Sequence, residues 1–302
     1  MPELPEVETV RRGLHKLIIG KIIKIVSSDN QKSFPNASAD VEEFLIGSKV
    51  TDVRRRAKVL MIDLSTDHTL VVHLKMTGQL VFVSKHKRFG AGHPTDSLVH
   101  SLPDKSTRVI VEFNDGSNLY FNDQRKFGWV RLMPTPEVPN IDFMKRVGPE
   151  PLEADFTLKQ FVECFKRRPN TSIKAALLDQ SVIAGVGNIY ADESLWGAKI
   201  HPKRLVKTLT KTEFRRLFDE VRYVMNLSIE KGGSTNRNYV DAEGKKGSYM
   251  DFARVFRREG LECPRCGTEI LKIKVAGRGT HICPKCQKNI ANDRARDILA
   301  NW

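Results

Sequence analysis

The sequence predicts an α+β protein: an N-terminal helix with a β-sandwich, then a helical domain, then a small cysteine module carrying a β-hairpin. Three observations predict it. Short β-type runs with turn punctuation fill residues 21–132, the apolar period becomes helical from about residue 157, and two Cys-x-x-Cys pairs close the chain. The 302 residues suffice for several domains and at least one sizeable core.

The first element is an amphipathic helix over 5–19, because Val7, Val10, Leu14, Leu17 and Ile18 recur at helical spacing and Gly20 ends it. Glu3, Glu6 and Glu8 stand at its start, with Arg11, Arg12 and Lys16 further along, as the helix dipole prefers. Strands are expected at Lys21–Val26, Val59–Leu64, Thr69–Leu74, Gln79–Val83, Arg108–Phe113 and Leu119–Phe121, with Asn114-Asp115-Gly116 as a hairpin turn. Lys85 to Ser106 reads as a long loop. The prolines and Gly148 of 134–151 mark a linker between a domain over 2–133 and a helical one over 152–250. Helices are predicted over about 157–167, 172–179, 189–197 and 211–231. The lone Cys164 lies in the first of these and reads as an inert buried thiol. A metal module over 251–290 and a tail over 291–302 complete the chain.

Cys263-Pro-Arg-Cys266 and Cys283-Pro-Lys-Cys286 are sixteen residues apart. Two thiolates three positions apart can face one ion from a single tight turn, and two such turns supply the four sulfurs that zinc favours. One structural zinc ion is therefore expected, closed to catalysis because no coordination position is left open. The segment between the pairs alternates like a hairpin, with Gly277-Arg278-Gly279 as its turn and Arg278 at the tip, placed to meet a phosphate.

Lys and Arg number 50 against 36 acids, a net charge of +14. That surplus points to a polyanion, usually nucleic acid, the alternative being a merely basic surface. No stretch is apolar enough to cross a bilayer, and the opening residues carry no basic segment followed by an apolar run. A cytoplasmic address and no membrane partner are expected.

The opening Met1-Pro2-Glu3-Leu4-Pro5-Glu6-Val7-Glu8-Thr9 has two readings. Prolines commonly begin helices. Removal of Met1 would also leave Pro2 with a secondary amine, whose attack on a sugar C1′ gives a permanently cationic iminium ion and so sets up β-elimination. This motif, the stretch Gly185-Val186-Gly187-Asn188-Ile189-Tyr190-Ala191-Asp192-Glu193 and the cysteine finger resemble the formamidopyrimidine-DNA glycosylase family, in order and across nearly the whole chain. Leu4 and the run Glu8-Thr9-Val10-Arg11-Arg12-Gly13 favour its oxidised-purine branch over the endonuclease VIII branch.

The resemblance implies a helix–two-turn–helix in the helical domain and a bifunctional monomer. That monomer would excise oxidised purines from double-stranded DNA and then cut the abasic site. It implies Pro2 as nucleophile, Glu3 as the acid assisting base loss, and Glu6 as support for the local network and the extruded nucleotide. Lys58 would assist elimination, and Arg278 would hold phosphates. Met76, Arg125 and Phe127 would fill the space left by the extruded base, types suited respectively to flexible packing, hydrogen bonding an orphaned cytosine and wedging a base step. Lys174, Asn188 and Tyr190 are expected on the DNA side. Residues 232–247 are expected to be a mobile loop over the extruded base. Three departures stand out: Ser106 where the family often has histidine, Lys126 where arginine is common, and the extended tail. A pyrimidine-specific glycosylase and a non-catalytic zinc-ribbon DNA-binding protein are the alternatives; Pro2 and Glu3 separate the last from an enzyme.

Overall fold

A computed structural model describes residues 2–93, 95–234 and 249–289. The chain divides into two compact units, 1–145 with 228–249, and 146–227 with 250–302.

The first unit opens with α1 (Leu4–Ile18), whose Val7, Val10, Leu14 and Ile18 are fully buried, as the apolar spacing requires. Nine strands follow: β1 (Ile23–Ser28), then β2 (Val50–Arg56), β3 (Val59–Leu64), β4 (His68–His73), β5 (Gly78–Val83), β6 (Arg88–Gly92), β7 (Thr107–Phe113), β8 (Asn118–Asp123) and β9 (Trp129–Pro134). Between β1 and β2 lies one turn of helix, α2 (Ser38–Asp40). The strands form two antiparallel sheets, in the orders β1-β7-β8-β5-β6 and β2-β3-β4-β9. Their inner faces and α1 share one apolar core, which includes Leu60, Ile62, Val72, Leu80, Phe82, Phe89 and Phe121. Gly13 lets the helix approach β6: a Cβ there would lie 2.0 Å from Cζ of Phe89.

Two expectations change. The expected loop over 85–106 contains β6, a sheet edge with Phe89 and Ala91 buried. The expected linker over 134–151 is largely part of this unit. Val138, Ile141, Phe143 and Met144, on a 3-10 turn and α3 (Asp142–Arg146), cover the outer face of the four-stranded sheet against Val59, Met61 and Val71. Apolar spacing within a proline-rich segment was the available signal.

The second unit holds α4 (Leu158–Lys166), α5 (Ile173–Leu178), α6 (Asn188–Gly197) and most of α7 (Lys211–Glu230). Thr157 begins α4 with a reciprocal capping box to Gln160. Phe161, Phe165 and Phe214 pack in its interior in tilted and edge-to-face arrangements. The hairpin β10 (Leu271–Val275) and β11 (Arg278–Ile282) completes it. Its turn is Ala276-Gly277, both at positive φ (49° and 74°), so Arg278 begins β11 beside the turn and is not at its centre. Among the described residues no helix is long and apolar enough to cross a membrane.

Candidate active site and metal centre

In the first unit, Pro2 and Glu3 lead into α1, and both are buried. Glu6 ties the chain start down: its Oε2 accepts the Glu3 N–H at 2.8 Å and its Oε1 the Ser234 N–H at 2.8 Å. One oxygen of Glu6 thus closes the first turn of α1, and the other ties that turn to the root of the segment expected to cover an extruded base. The remainder of that segment lies outside the described residues.

Glu8 fixes a second neighbour. Its carboxylate accepts from Arg11 and Arg12 on its own helix and from Nε of Arg55 at 3.1 Å. Burial opposes this charge, but the hydrogen bonds from Arg11 and Arg12 and the charges of Arg11 and Arg55 outweigh it, lowering the Glu8 pKa to about 2. Arg55 also donates to the Ala57 carbonyl at 3.0 Å. The β2–β3 turn carrying Lys58, itself only 6% exposed, is thereby anchored to α1.

His73 was not singled out from the sequence. Burial, then the charges of Lys75 and Lys58, depress its pKa to about 3, so the ring is neutral and its Nδ1 accepts the Lys75 N–H at 3.0 Å. A histidine closing an apolar strand was the only sequence signal. His73 shapes the loop of Met76, which is half-buried, while Arg125 and Phe127 are exposed on the neighbouring loop, the guanidinium 4.8 Å above the ring.

In the second unit the four cysteine sulfurs lie within 4.8 Å of one another. Contacts of 3.5 Å (Cys266–Cys283), 3.5 Å (Cys286–Cys266) and 4.0 Å (Cys263–Cys286) bracket the separation of about 3.8 Å that a tetrahedron of 2.3 Å zinc–sulfur bonds requires. The thiols are unequal: bonding to Thr268 lowers the Cys266 pKa to about 6, whereas burial raises that of Cys283 to about 12. A dication would allow all four to ionise together. Trp196 supports the site, its Nε1 lying 3.4 Å from Cys263 Sγ under the Arg265 guanidinium. Zinc bound here supplies a cross-link.

Three family models match in order: the formamidopyrimidine-DNA glycosylase N-terminal domain over 1–130, its H2TH domain over 147–240, and the zinc finger found in FPG and IleRS over 260–289. The chain is 44% identical to a formamidopyrimidine-DNA glycosylase of Pediococcus pentosaceus, covering 95% of this chain and 99% of that one. It belongs to the formamidopyrimidine-DNA glycosylase family. A relative from Pelotomaculum thermopropionicum is 42% identical over the same shares. The structure of a Lactococcus lactis Fpg in complex with abasic-site DNA superposes with a TM-score of 0.83 at 36% identity, over 95% of this chain and all of that one. A second L. lactis structure, bound to N7-benzyl-Fapy-dG DNA, gives 0.82 at 36%.

Two positions expected on the DNA side of this glycosylase-family chain are corrected. Lys174 is fully buried. Its Nζ donates to Asp192 Oδ1 at 2.6 Å, Thr280 Oγ1 at 2.7 Å and the Gly279 carbonyl at 3.3 Å, so it anchors the finger hairpin. Tyr190 is likewise fully buried, because α6 is covered on nearly every side. Asn188 is partly exposed and gives Nδ2 to the Gly279 carbonyl at 3.0 Å. Lys174 and Asn188 thus converge on the residue after the exposed Arg278. Gln180 was missed: it accepts the Gly185 N–H at 2.9 Å and donates to the Val186 carbonyl at 2.8 Å, bracing the glycine turn before α6. Ser106 bonds to Asp104 and Ser97, which fills the histidine position with a structural contact.

Proposed function

We propose that this family member excises oxidised purines, 8-oxoguanine opposite cytosine and formamidopyrimidines, from double-stranded DNA and then cleaves the abasic site by β,δ-elimination. The carrying observation is the head of α1. Pro2, Glu3 and Glu6 are buried together, held by the Glu3–Glu6 and Glu6–Ser234 bonds, and the Glu8–Arg55 link joins the Lys58 turn to the same helix. The abasic and Fapy-dG DNA named for the L. lactis structures agrees with such substrates.

The neutral Pro2 nitrogen, once Met1 is removed, attacks C1′ as the glycosidic bond breaks, and the base departs carrying a proton. Glu3 serves the proton transfers of base loss and sugar ring opening. The resulting iminium withdraws electrons from C2′. Loss of a C2′ proton expels the 3′ phosphate, and a second elimination expels the 5′ phosphate. Lys58 assists the first elimination. Arg278 holds the flanking phosphates and assists the second. Met76, Arg125 and Phe127 occupy the vacated stack, with Arg125 reading the orphaned cytosine so that lesions opposite adenine are disfavoured. Zinc keeps the Arg278 hairpin ordered.

Borohydride should trap a covalent adduct between the processed chain and an 8-oxoguanine:cytosine duplex. Pro2→Gly, which leaves a primary amine in place of the secondary one, should abolish or cripple trapping while changing affinity for an abasic-analogue duplex by less than about threefold. An adduct mapped to another side chain, or affinity falling as far as trapping, refutes the assignment.

A further inference from the structure

The two loops read above as void-filling are equivalent crossovers between the sheets. β4 passes to β5 through residues 74–77, and β8 to β9 through 124–128. Because β4 pairs with β9 and β5 with β8, the loops leave the same edge of the sandwich side by side. Asp123 ends β8 opposite Gly78 and is fully buried. Its Oδ1 accepts the Thr77 hydroxyl, from the Met76 loop, and the Arg125 N–H at 3.1 Å. Its Oδ2 accepts the Phe127 N–H at 2.8 Å and the Gly128 N–H at 2.6 Å. The Arg125 N–H also reaches Thr77 Oγ1 at 3.1 Å.

These four donors satisfy both oxygens of the buried side chain, and a polar group left unpaired at such a place is costly. The loop closes around it with Lys126 in the left-handed region (φ 56°), a conformation that the surrounding bonds must over-determine. The Asp123 main chain is pinned too: its N–H donates to the Ser106 carbonyl at 2.7 Å, and its carbonyl accepts Nε of the buried Arg108 at 3.0 Å.

We propose that Asp123 is a positioning residue that couples the Met76 loop to the Arg125–Phe127 loop, so that the three side chains enter DNA as one unit and opposite-base preference depends on that coupling. This rests on the void-filling reading given under Proposed function. Asparagine has the same shape but turns an NH2 toward either the Thr77 and Arg125 donors or the Phe127 and Gly128 donors, whichever way the amide lies.

The test compares the parent with Asp123→Asn, Thr77→Val, Thr77→Ser and Arg125→Ala. Base release is measured as kcat/KM on 8-oxoguanine opposite cytosine and opposite adenine, and borohydride trapping on a single-stranded abasic oligonucleotide, which has no partner strand to read. In Asp123→Asn the cytosine-over-adenine preference should fall roughly tenfold, and activity on the duplex should fall roughly tenfold more than single-strand trapping. Thr77→Val, which removes only the hydroxyl bridge, should lose preference in the same direction, with Thr77→Ser restoring it; this pair carries the test if Asp123→Asn does not fold. Arg125→Ala losing preference while Asp123→Asn and Thr77→Val retain it overturns the coupling alone. Arg125→Ala keeping the parent's preference overturns the void-filling reading and the coupling with it. Absence of any adduct from the parent overturns the proposed function instead.

Discussion

Burial makes His73 a base that does not titrate where histidines ordinarily do. With its folded pKa near 3 and an unfolded value near 6.5, the unfolded chain binds the extra proton throughout that interval. Folding stability contributed by the neutral ring is therefore present above about pH 6.5 and lost progressively as pH falls, by about 1.4 kcal/mol per unit. His73→Asn keeps an acceptor for the Lys75 N–H and removes the titration. Its unfolding free energy should drop by about 2 kcal/mol less than the parent's between pH 7 and pH 5, read from denaturant melts; equal drops would show that the ring titrates normally. At this scale the sequence was legible where a motif names its own residues, as with the four cysteines. It was illegible for His73, whose burial and whose neighbour Lys58 come from tertiary packing, and for Asp123, whose Thr77 partner lies 46 positions away.

Hairpin β10–β11 shows how an element's position can depend on one buried cation. Lys174 and Asp192 are both wholly enclosed, and Asp192 Oδ2 also accepts the His281 N–H at 2.9 Å, so β11 is pinned to α5 and α6 together. Removing the ammonium leaves a buried carboxylate without its counter-charge, a change that costs about 3–5 kcal/mol. Lys174→Met should lose stability on that scale, with hydrogen exchange rising first at Thr280 and His281. Unaltered protection there would mean that the hairpin is held by its metal alone. Periodicity located α1, α4, α5, α6 and α7 to within a residue or so, because an apolar stripe at 3.6 spacing has one stable solution. It did not find β6 or the packing of 138–144, where short apolar groups among prolines and glycines carry too few residues for a period.

For the whole molecule, the metal offers the broadest test. A chelator strong enough to withdraw zinc should release one equivalent per chain, alter the emission of Trp196, whose indole lies against Cys263, and weaken affinity for an abasic duplex roughly tenfold or more. Intact affinity after verified metal loss would remove the finger from the DNA-binding surface. The sequence by itself determined what local spacing can encode: the sandwich, the helices, the order of the modules, the four-sulfur metal site and membership of the glycosylase family. A Cys-x-x-Cys pair is complete within a single turn, and an amphipathic helix carries its own period. Only the tertiary structure decided that Lys174 and Tyr190 are interior and that Asp123 joins two distant loops. Those outcomes depend on which remote segment arrives beside a long or polar side chain: Lys174 meets Thr280 106 positions away, and nothing in the residues flanking either one specifies that meeting.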